Sequence, residues 1–267
     1  MKPVPGPAPA PTAQRLRVRY AKRGRLRFTS HRDISRAVER AVRRAGIPVA
    51  YSAGFSPHPK ISYAGAAPTG VASEAEYLEI GVTEPCDPAR LRADLDGSLP
   101  PGLDVLEVVE AGAGGLADRL EASVWEVRLP GADQGEAETA VGKFLAAGTV
   151  EVERLTKKGP RRFDAREAVL SLTAPEGTDR TAAQVQGQPC VILRMVVRHV
   201  TPAVRPDDVL TGLRLVADFA PPVPPEVTRL AQGPLDVRTG ALADPFDLDR
   251  DITRGGEAGP AGEHDAG

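Results

Sequence analysis

The chain has 267 residues, 41% of them apolar, which is enough for one large core or two small ones. It has no apolar run of about 18 residues and no apolar segment typical of a secretory leader near its start. We therefore expect a cytoplasmic protein with no membrane partner. The net charge of −2 combines a basic front with an acidic remainder, because residues 1–63 carry 14 Lys and Arg against two acidic residues. This polarised layout favours a polyanionic partner at one face.

The two cysteines, Cys86 and Cys190, lie far apart, with no second Cys or suitably spaced His close to either. This spacing excludes zinc fingers, iron–sulfur clusters and disulfide frameworks. No metal site and no cofactor are predicted. Aromatic residues make up only 4% of the chain. The sequence therefore favours binding of a nucleic-acid backbone over stacking of several bases on aromatic rings.

The first half of the chain predicts the order strand, helix, strand, strand, helix, strand. Apolar residues alternate with arginines over 15–20, which is the period of a half-buried strand. Ser30 followed by Asp33 has the spacing of a capping box and predicts a helix that runs to Ala45. The other predicted elements of this half are strands over 61–64, 76–82 and 103–109 and a helix over 88–99 that follows the cap Asp87.

A weaker second copy of this order follows, and the two copies predict an α+β fold of two tandem ferredoxin-like (βαββαβ) units. Its predicted elements are strands over 124–129, 149–156 and 191–199 and helices over 134–147 and 205–215, while 161–172 is either a strand pair or a loop. Both ends are too rich in Pro, Gly or Asp to bury enough apolar area for folding. The predicted organisation is a disordered Pro-rich lead over 1–14, units over 15–115 and 116–216, and a disordered acidic tail over 217–267.

The helix predicted after Ser30 carries arginines on the face opposite its apolar residues, and the arginines of the first strand precede it. Guanidinium groups bind phosphate bidentately and release counterions, which favours RNA as the partner. The predicted nucleic-acid contacts are Arg17, Arg19, Arg32, Arg36, Arg40, Arg43, His58 and Lys60. Two other interpretations stay open: a plain solvated face, and an acidic protein or the chain's own acidic tail covering these arginines.

Two histidines are candidates for chemistry. Pro57 and Pro59 fix the backbone around His58, as expected of a binding loop that also presents Lys60. The alternative for this loop is a rigid connection whose Phe55 fills the core. His31, just after the helix cap, is a candidate general acid or base for RNA cleavage, or else it bonds a nearby loop carbonyl. No partner acid or base is evident, so neither histidine is assigned a catalytic role.

Four motifs carry a resemblance to a known family. They are F-x-S-H-x-D at 28–33, E-R-A-x-R-R-A-G at 39–46, G-F-x-P-H-P-K at 54–60 and P-x-G-V-x-S-E-x-E-Y-L at 68–78. On these motifs, and over about 15–215, the chain resembles the radical SAM-linked protein family, a bacterial group of uncharacterised function. The resemblance implies a domain that acts beside a cobalamin-binding radical SAM enzyme. The chain has no CxxxCxxC motif, so it resembles only the attached domain.

The sequence thus predicts an RNA-binding accessory module for tRNA or rRNA modification or processing, linked to a radical SAM enzyme as a second potential partner. The order of elements is also similar to that of the tandem ferredoxin-like endoribonucleases that trim CRISPR repeat RNA, a fold-level analogy that raises the expectation of RNA. Two alternatives are kept. One is a metal-independent endoribonuclease that uses His31, and the other is a protein adaptor that docks on a radical SAM enzyme through the basic helix.

Overall fold

The computed structural model describes residues 10–157, 159–175, 184–185 and 188–255. They form a mixed α+β protein with a mostly antiparallel sheet. The strands are β1 (Gln14–Lys22), β2 (Ile61–Ala64), β3 (Ala72–Val82), β4 (Leu103–Glu110), β5 (Ala122–Pro130), β6 (Glu151–Thr156), β7 (Gly159–Asp164), β8 (Val169–Thr173), β9 (Gln184–Val185), β10 (Gln188–Arg198) and β11 (Glu226–Gly233). The helices are α1 (His31–Arg44), α2 (Pro88–Asp96), α3 (Gln134–Ala146), α4 (Pro206–Ala217) and α5 (Asp247–Gly255). Among these described helices, none has the length and apolar character needed to cross a membrane.

The first half of the sheet has the strand order β4-β1-β3-β2, and each neighbouring pair is antiparallel. Leu16 and Val18 of β1 lie opposite Ile80 and Leu78 of β3, so the four side chains project from the same face. The apolar sides of α1 and α2 pack on that face and complete a buried cluster with it. We call this side of the sheet the helix face and the other side the opposite face.

Both helices of this half confirm the sequence prediction at their starts. The Ser30 hydroxyl accepts a hydrogen bond from the Asp33 N–H at 3.2 Å and donates one to the Asp33 carboxylate at 2.7 Å, so the cap of α1 is in place. α2 begins at Pro88 behind Asp87, whose carboxylate accepts from two N–H groups of the first turn. α2 ends at Asp96, three residues before the predicted end at Leu99.

The second half has the strand order β11-β5-β10-β8, again with antiparallel neighbours. α3 and α4 cover one face, where Phe144 and Leu213 are fully buried. The segment 161–172, left open by the sequence, contributes to β7 and β8. β6 does not join the main sheet, because it pairs with β7 in a separate two-stranded sheet.

The two halves share one nine-stranded sheet, in which β3 and β11 pair in parallel. At this junction Arg229 is only 3% exposed and donates to the Glu76 carboxylate and to the Ser73 hydroxyl. Its guanidinium carbon lies 5.5 Å from the centroid of the Trp125 ring on the adjacent strand β5 of its own half. A buried, hydrogen-bonded ion pair of this kind favours the one register that keeps its two charges together.

The prediction of disorder from residue 217 is wrong for the described residues 217–255. β11 lies inside the sheet, between β3 and β5, and Phe246 is fully buried on the opposite face with its ring 5.3 Å from that of Tyr77. This segment needs no core of its own, because it completes a sheet that the rest of the chain has built. Residues 256–267 lie outside the described residues.

The predicted disordered lead is corrected at its end. β1 begins at Gln14, and the Ala13 N–H donates to the Val82 carbonyl at 2.8 Å. Pairing with the end of β3 therefore orders these two residues. Residues 1–9 lie outside the described residues.

A substitution at Asp249 tests the packing of the C-terminal segment on the sheet. Its fully buried carboxylate accepts hydrogen bonds from Arg17 at 2.8 and 2.9 Å and from Arg119 at 2.8 Å. Removal of one partner from a buried ion pair leaves uncompensated charge, so we expect Asp249→Ala to lower the free energy of unfolding by about 3–5 kcal/mol. Urea denaturation measures this change.

The matched control is Asp247→Ala, which removes an exposed ion pair with Arg250 from the same helix. We expect it to change the free energy of unfolding by less than about 1 kcal/mol. Equal losses for the two variants would contradict the structural role of Asp249.

Candidate nucleic-acid interface

α1 places its arginines on the side that faces away from the sheet. Its buried residues, Ile34, Val38, Ala41 and Val42, pack on the helix face. At 100° per residue the arginines on the outer side span about 80° around the helix axis, over a length of about 16 Å. This basic stripe consists of the exposed residues Arg32, Arg36, Arg40 and Arg43.

The basic stripe is largely free of internal counter-charges. Arg36 lies 3.8 Å from Asp33 in an exposed pair one turn apart, a contact that contributes little. Within the described part of the chain, no ion pair involves Arg32, Arg40 or Arg43. These guanidinium groups are therefore available to an external anion.

The arginines of β1 are placed differently, and the expectation that Arg17 contacts phosphate is wrong. Arg17 is fully buried, with Asp249 at 2.8 Å and Glu79 at 3.2 Å from its guanidinium nitrogens. Arg19 is half-buried and lies 3.2 Å from Asp244. The molecule's own carboxylates therefore neutralise both arginines.

The strand register explains why the predicted residues do not form one surface. Arg17 lies opposite Glu79 and Arg19 lies opposite Tyr77, one position out of step with Leu16 and its partners on the helix face. Arg17 and Arg19 therefore project from the opposite face, where Asp249 and Asp244 of the C-terminal segment contact them. Only the basic stripe of α1 remains as a continuous cationic surface among the predicted residues.

A hairpin over 51–59 projects from the sheet edge between α1 and β2. Ala50 and Lys60, on its two sides, both hydrogen-bond to Gly81 of β3. Tyr51 pairs with Pro59 across the hairpin. At the tip, Phe55 is 90% exposed, so the interpretation in which this ring fills the core is wrong.

His58 and Lys60 line a cleft of about 440 Å³ beside this hairpin. Arg15, which the predicted set omits, lines it as well, and its Nη1 lies 3.3 Å from Oε1 of Glu79. The Lys60 ammonium donates to the Thr12 hydroxyl at 2.9 Å. The structure thus brings His58 and Lys60 together in a cleft that no residue of the stripe lines. In the sequence, Arg15 belongs to the same alternating pattern as Arg17, and that pattern could have identified it as a residue of this surface.

His31 occupies the first position of α1 and is exposed. Its ring meets the Tyr63 ring edge-on at 5.0 Å, and burial raises the pKa of Tyr63 to about 12. Near neutral pH the Tyr63 hydroxyl therefore stays protonated. Across the described residues, no hydrogen bond joins the His31 ring to an acid or a base, so no acid–base pair is assembled there.

Comparison with known families gives a match over most of the folded chain. The model of a family described as "Uncharacterized protein conserved in bacteria (DUF2344)" matches residues 15–206, which is well over half of the sequence. The match extends from β1 to the first residue of α4. No curated protein matches the chain.

The different placement of the arginines predicts different chemical reactivity. Phenylglyoxal modifies guanidinium groups that solvent reaches, so we expect Arg32, Arg40 and Arg43 to react in the folded protein while fully buried Arg17 does not. Peptide mass spectrometry after brief treatment measures the modified fraction. In urea all four should react alike. Modification of Arg17 at the rate of Arg40 in the folded protein would contradict its burial.

Proposed function

We propose that this protein, which belongs to the bacterial family DUF2344, binds RNA through the basic stripe of α1 and serves as an accessory module. The observation that carries the proposal is the stripe itself, four exposed arginines on one side of a well-capped helix. Three of them have no ion-pair partner within the described residues. An exposed set of like charges costs self-repulsion, which an external polyanion relieves.

Phosphate is the chemistry that this stripe fits best. Arginine donates two parallel hydrogen bonds to a phosphate, and each neutralised phosphate releases condensed counterions. A length of about 16 Å allows several phosphates to be bound at once. We choose RNA as the nucleic acid because the order of elements in the sequence is similar to that of RNA-processing proteins.

The strand orders support a finer description of the fold. We infer that the chain carries two tandem ferredoxin-like units, with orders β4-β1-β3-β2 and β11-β5-β10-β8 and with β6 and β7 as an insertion. On this view the second unit extends to Gly233 instead of ending at residue 216. The first unit keeps the range 15–115.

We further propose that the bound RNA is a tRNA or rRNA presented to a radical SAM enzyme in the cytoplasm. The support is the resemblance of the motifs between residues 28 and 78 to the radical SAM-linked family. With only two distant cysteines, this chain lacks the three-cysteine motif for the cluster, so the radical chemistry would belong to a separate polypeptide or domain.

The test is a charge reversal on the stripe. We expect Arg36→Glu with Arg40→Glu to weaken binding of labelled polyuridylate by roughly 100-fold, because two charge-assisted contacts become repulsive. For the unaltered chain, the logarithm of the binding constant should fall against the logarithm of the salt concentration with a slope of about −3. Fluorescence anisotropy measures both quantities.

The matched control is Arg90→Glu with Arg214→Glu, which makes the same charge change on exposed residues of α2 and α4. This variant should bind as the unaltered chain does. Equal weakening in both variants would leave only the overall charge as the cause and would overturn the proposed interface. Co-purification of a protein partner that survives nuclease treatment and is lost on stripe reversal would favour the adaptor alternative.

A further inference from the structure

The hairpin over 51–59 carries an apolar ring that is open to solvent. Phe55 is 90% exposed, more than any other large apolar side chain of the described residues. Gly54, just before it, has a φ of 125°, a conformation that other residues rarely adopt. The phenyl ring thus lies outside the core, where a partner can reach it.

The hairpin is stiffened so that the ring starts from a defined position. The Ser52 N–H donates to the His58 carbonyl at 2.9 Å, and the His58 N–H donates to the Ser52 hydroxyl at 3.0 Å. Pro57 and Pro59 restrict the backbone of the returning strand. A preset ring loses little conformational entropy when a flat partner stacks on it.

The surroundings of the hairpin favour a nucleobase as that partner. Arg15, His58 and Lys60 line the cleft beside it, and its one carboxylate, Glu79, is shared between Arg15 and Arg17. Along the chain, only four residues separate the end of α1 from Val49, the first bridged residue before the hairpin. The hairpin therefore has the cations Arg15 and Lys60 in the cleft beside it and the basic stripe just before it in the chain, and a phosphate backbone on either side of a stacked base requires such charges.

We propose that Phe55 is a base-stacking residue that gives this protein its preference for unpaired RNA. The proposal rests on the proposed RNA binding and adds the class of RNA: an unpaired base stacks on Phe55, while phosphates on its two sides meet the basic stripe and the cleft of Arg15, His58 and Lys60. In a duplex every base is already stacked between its neighbours, so no base face is free to stack on the Phe55 ring. The basic stripe supplies affinity for either form, and the hairpin distinguishes between them.

The experiment compares two probes, single-stranded polyuridylate and the duplex of polyadenylate with polyuridylate. We expect Phe55→Ala to lower the affinity for polyuridylate by about 5- to 100-fold and to leave duplex binding and the salt slope unchanged. Phe55→Trp should retain single-strand binding, and polyuridylate should quench the emission of the introduced exposed indole. The matched control is Leu155→Ala, an 81% exposed apolar residue on another hairpin, which should change neither affinity.

The outcomes separate the hairpin from the stripe. If Phe55→Ala binds both probes as the unaltered chain does while stripe reversal abolishes binding of both, RNA binding stands and the stacking proposal falls. If Phe55→Leu keeps full affinity for polyuridylate, any apolar side chain suffices at this position. Stacking on the aromatic ring is then refuted. If the unaltered chain binds neither probe, both proposals fail.

Discussion

The carboxylate of Asp249 is the contact on which the arrangement of this molecule depends. It lies fully buried against Arg17 and Arg119, and it also accepts the N–H of Gly112 at 2.9 Å. A buried guanidinium is tolerated only beside such a partner, because taking either charge out of water alone costs several kcal/mol. The last described helix is therefore required by the first strand, although more than 200 residues separate Arg17 from Asp249 in the chain.

This pairing divides the cations of the basic front into two groups. On β1, Arg17 is bound to Asp249 and Arg19 to Asp244 within the fold, whereas the arginines of the stripe on α1 remain at the surface. The division follows from the geometry of the sheet, since a strand alternates its side chains between faces and a helix turns its polar side outward. The acidic C-terminal segment accordingly covers the opposite face, not the basic helix, as far as the described residues extend.

The hairpin over 51–59 follows both the covered arginines of β1 and the exposed stripe of α1 along the chain. It leaves the sheet edge just after α1, and the cleft beside it opens toward Arg15 on the opposite face. Exposed Phe55 and the nearby cations form a chemical combination that neither surface has alone. The proposed function assigns recognition to this loop and attraction to the charged helix.

Local sequence determined the elements well, because their signals lie within a few residues. The cap at Ser30 and the Pro start of α2 were both predicted, as were the basic side of α1 and the loop that carries His58. Phe55 was misplaced as an alternative core residue, since a single aromatic residue in a loop has no periodicity that tells whether its ring turns inward or outward.

Only the tertiary structure decided which arginines are free and that the C-terminal segment folds. Residues 217–255 contain too few apolar side chains to predict order. In the structure, however, β11 pairs with both β3 and β5, and Asp249 binds the buried guanidinium of Arg17. The sequence by itself determined α1 to α4, the strands of the first half and the charge of each segment, because these follow from neighbouring residues. Which charges cancel was decided by contacts between distant segments, because a carboxylate neutralises the guanidinium closest in space, whatever their separation along the chain.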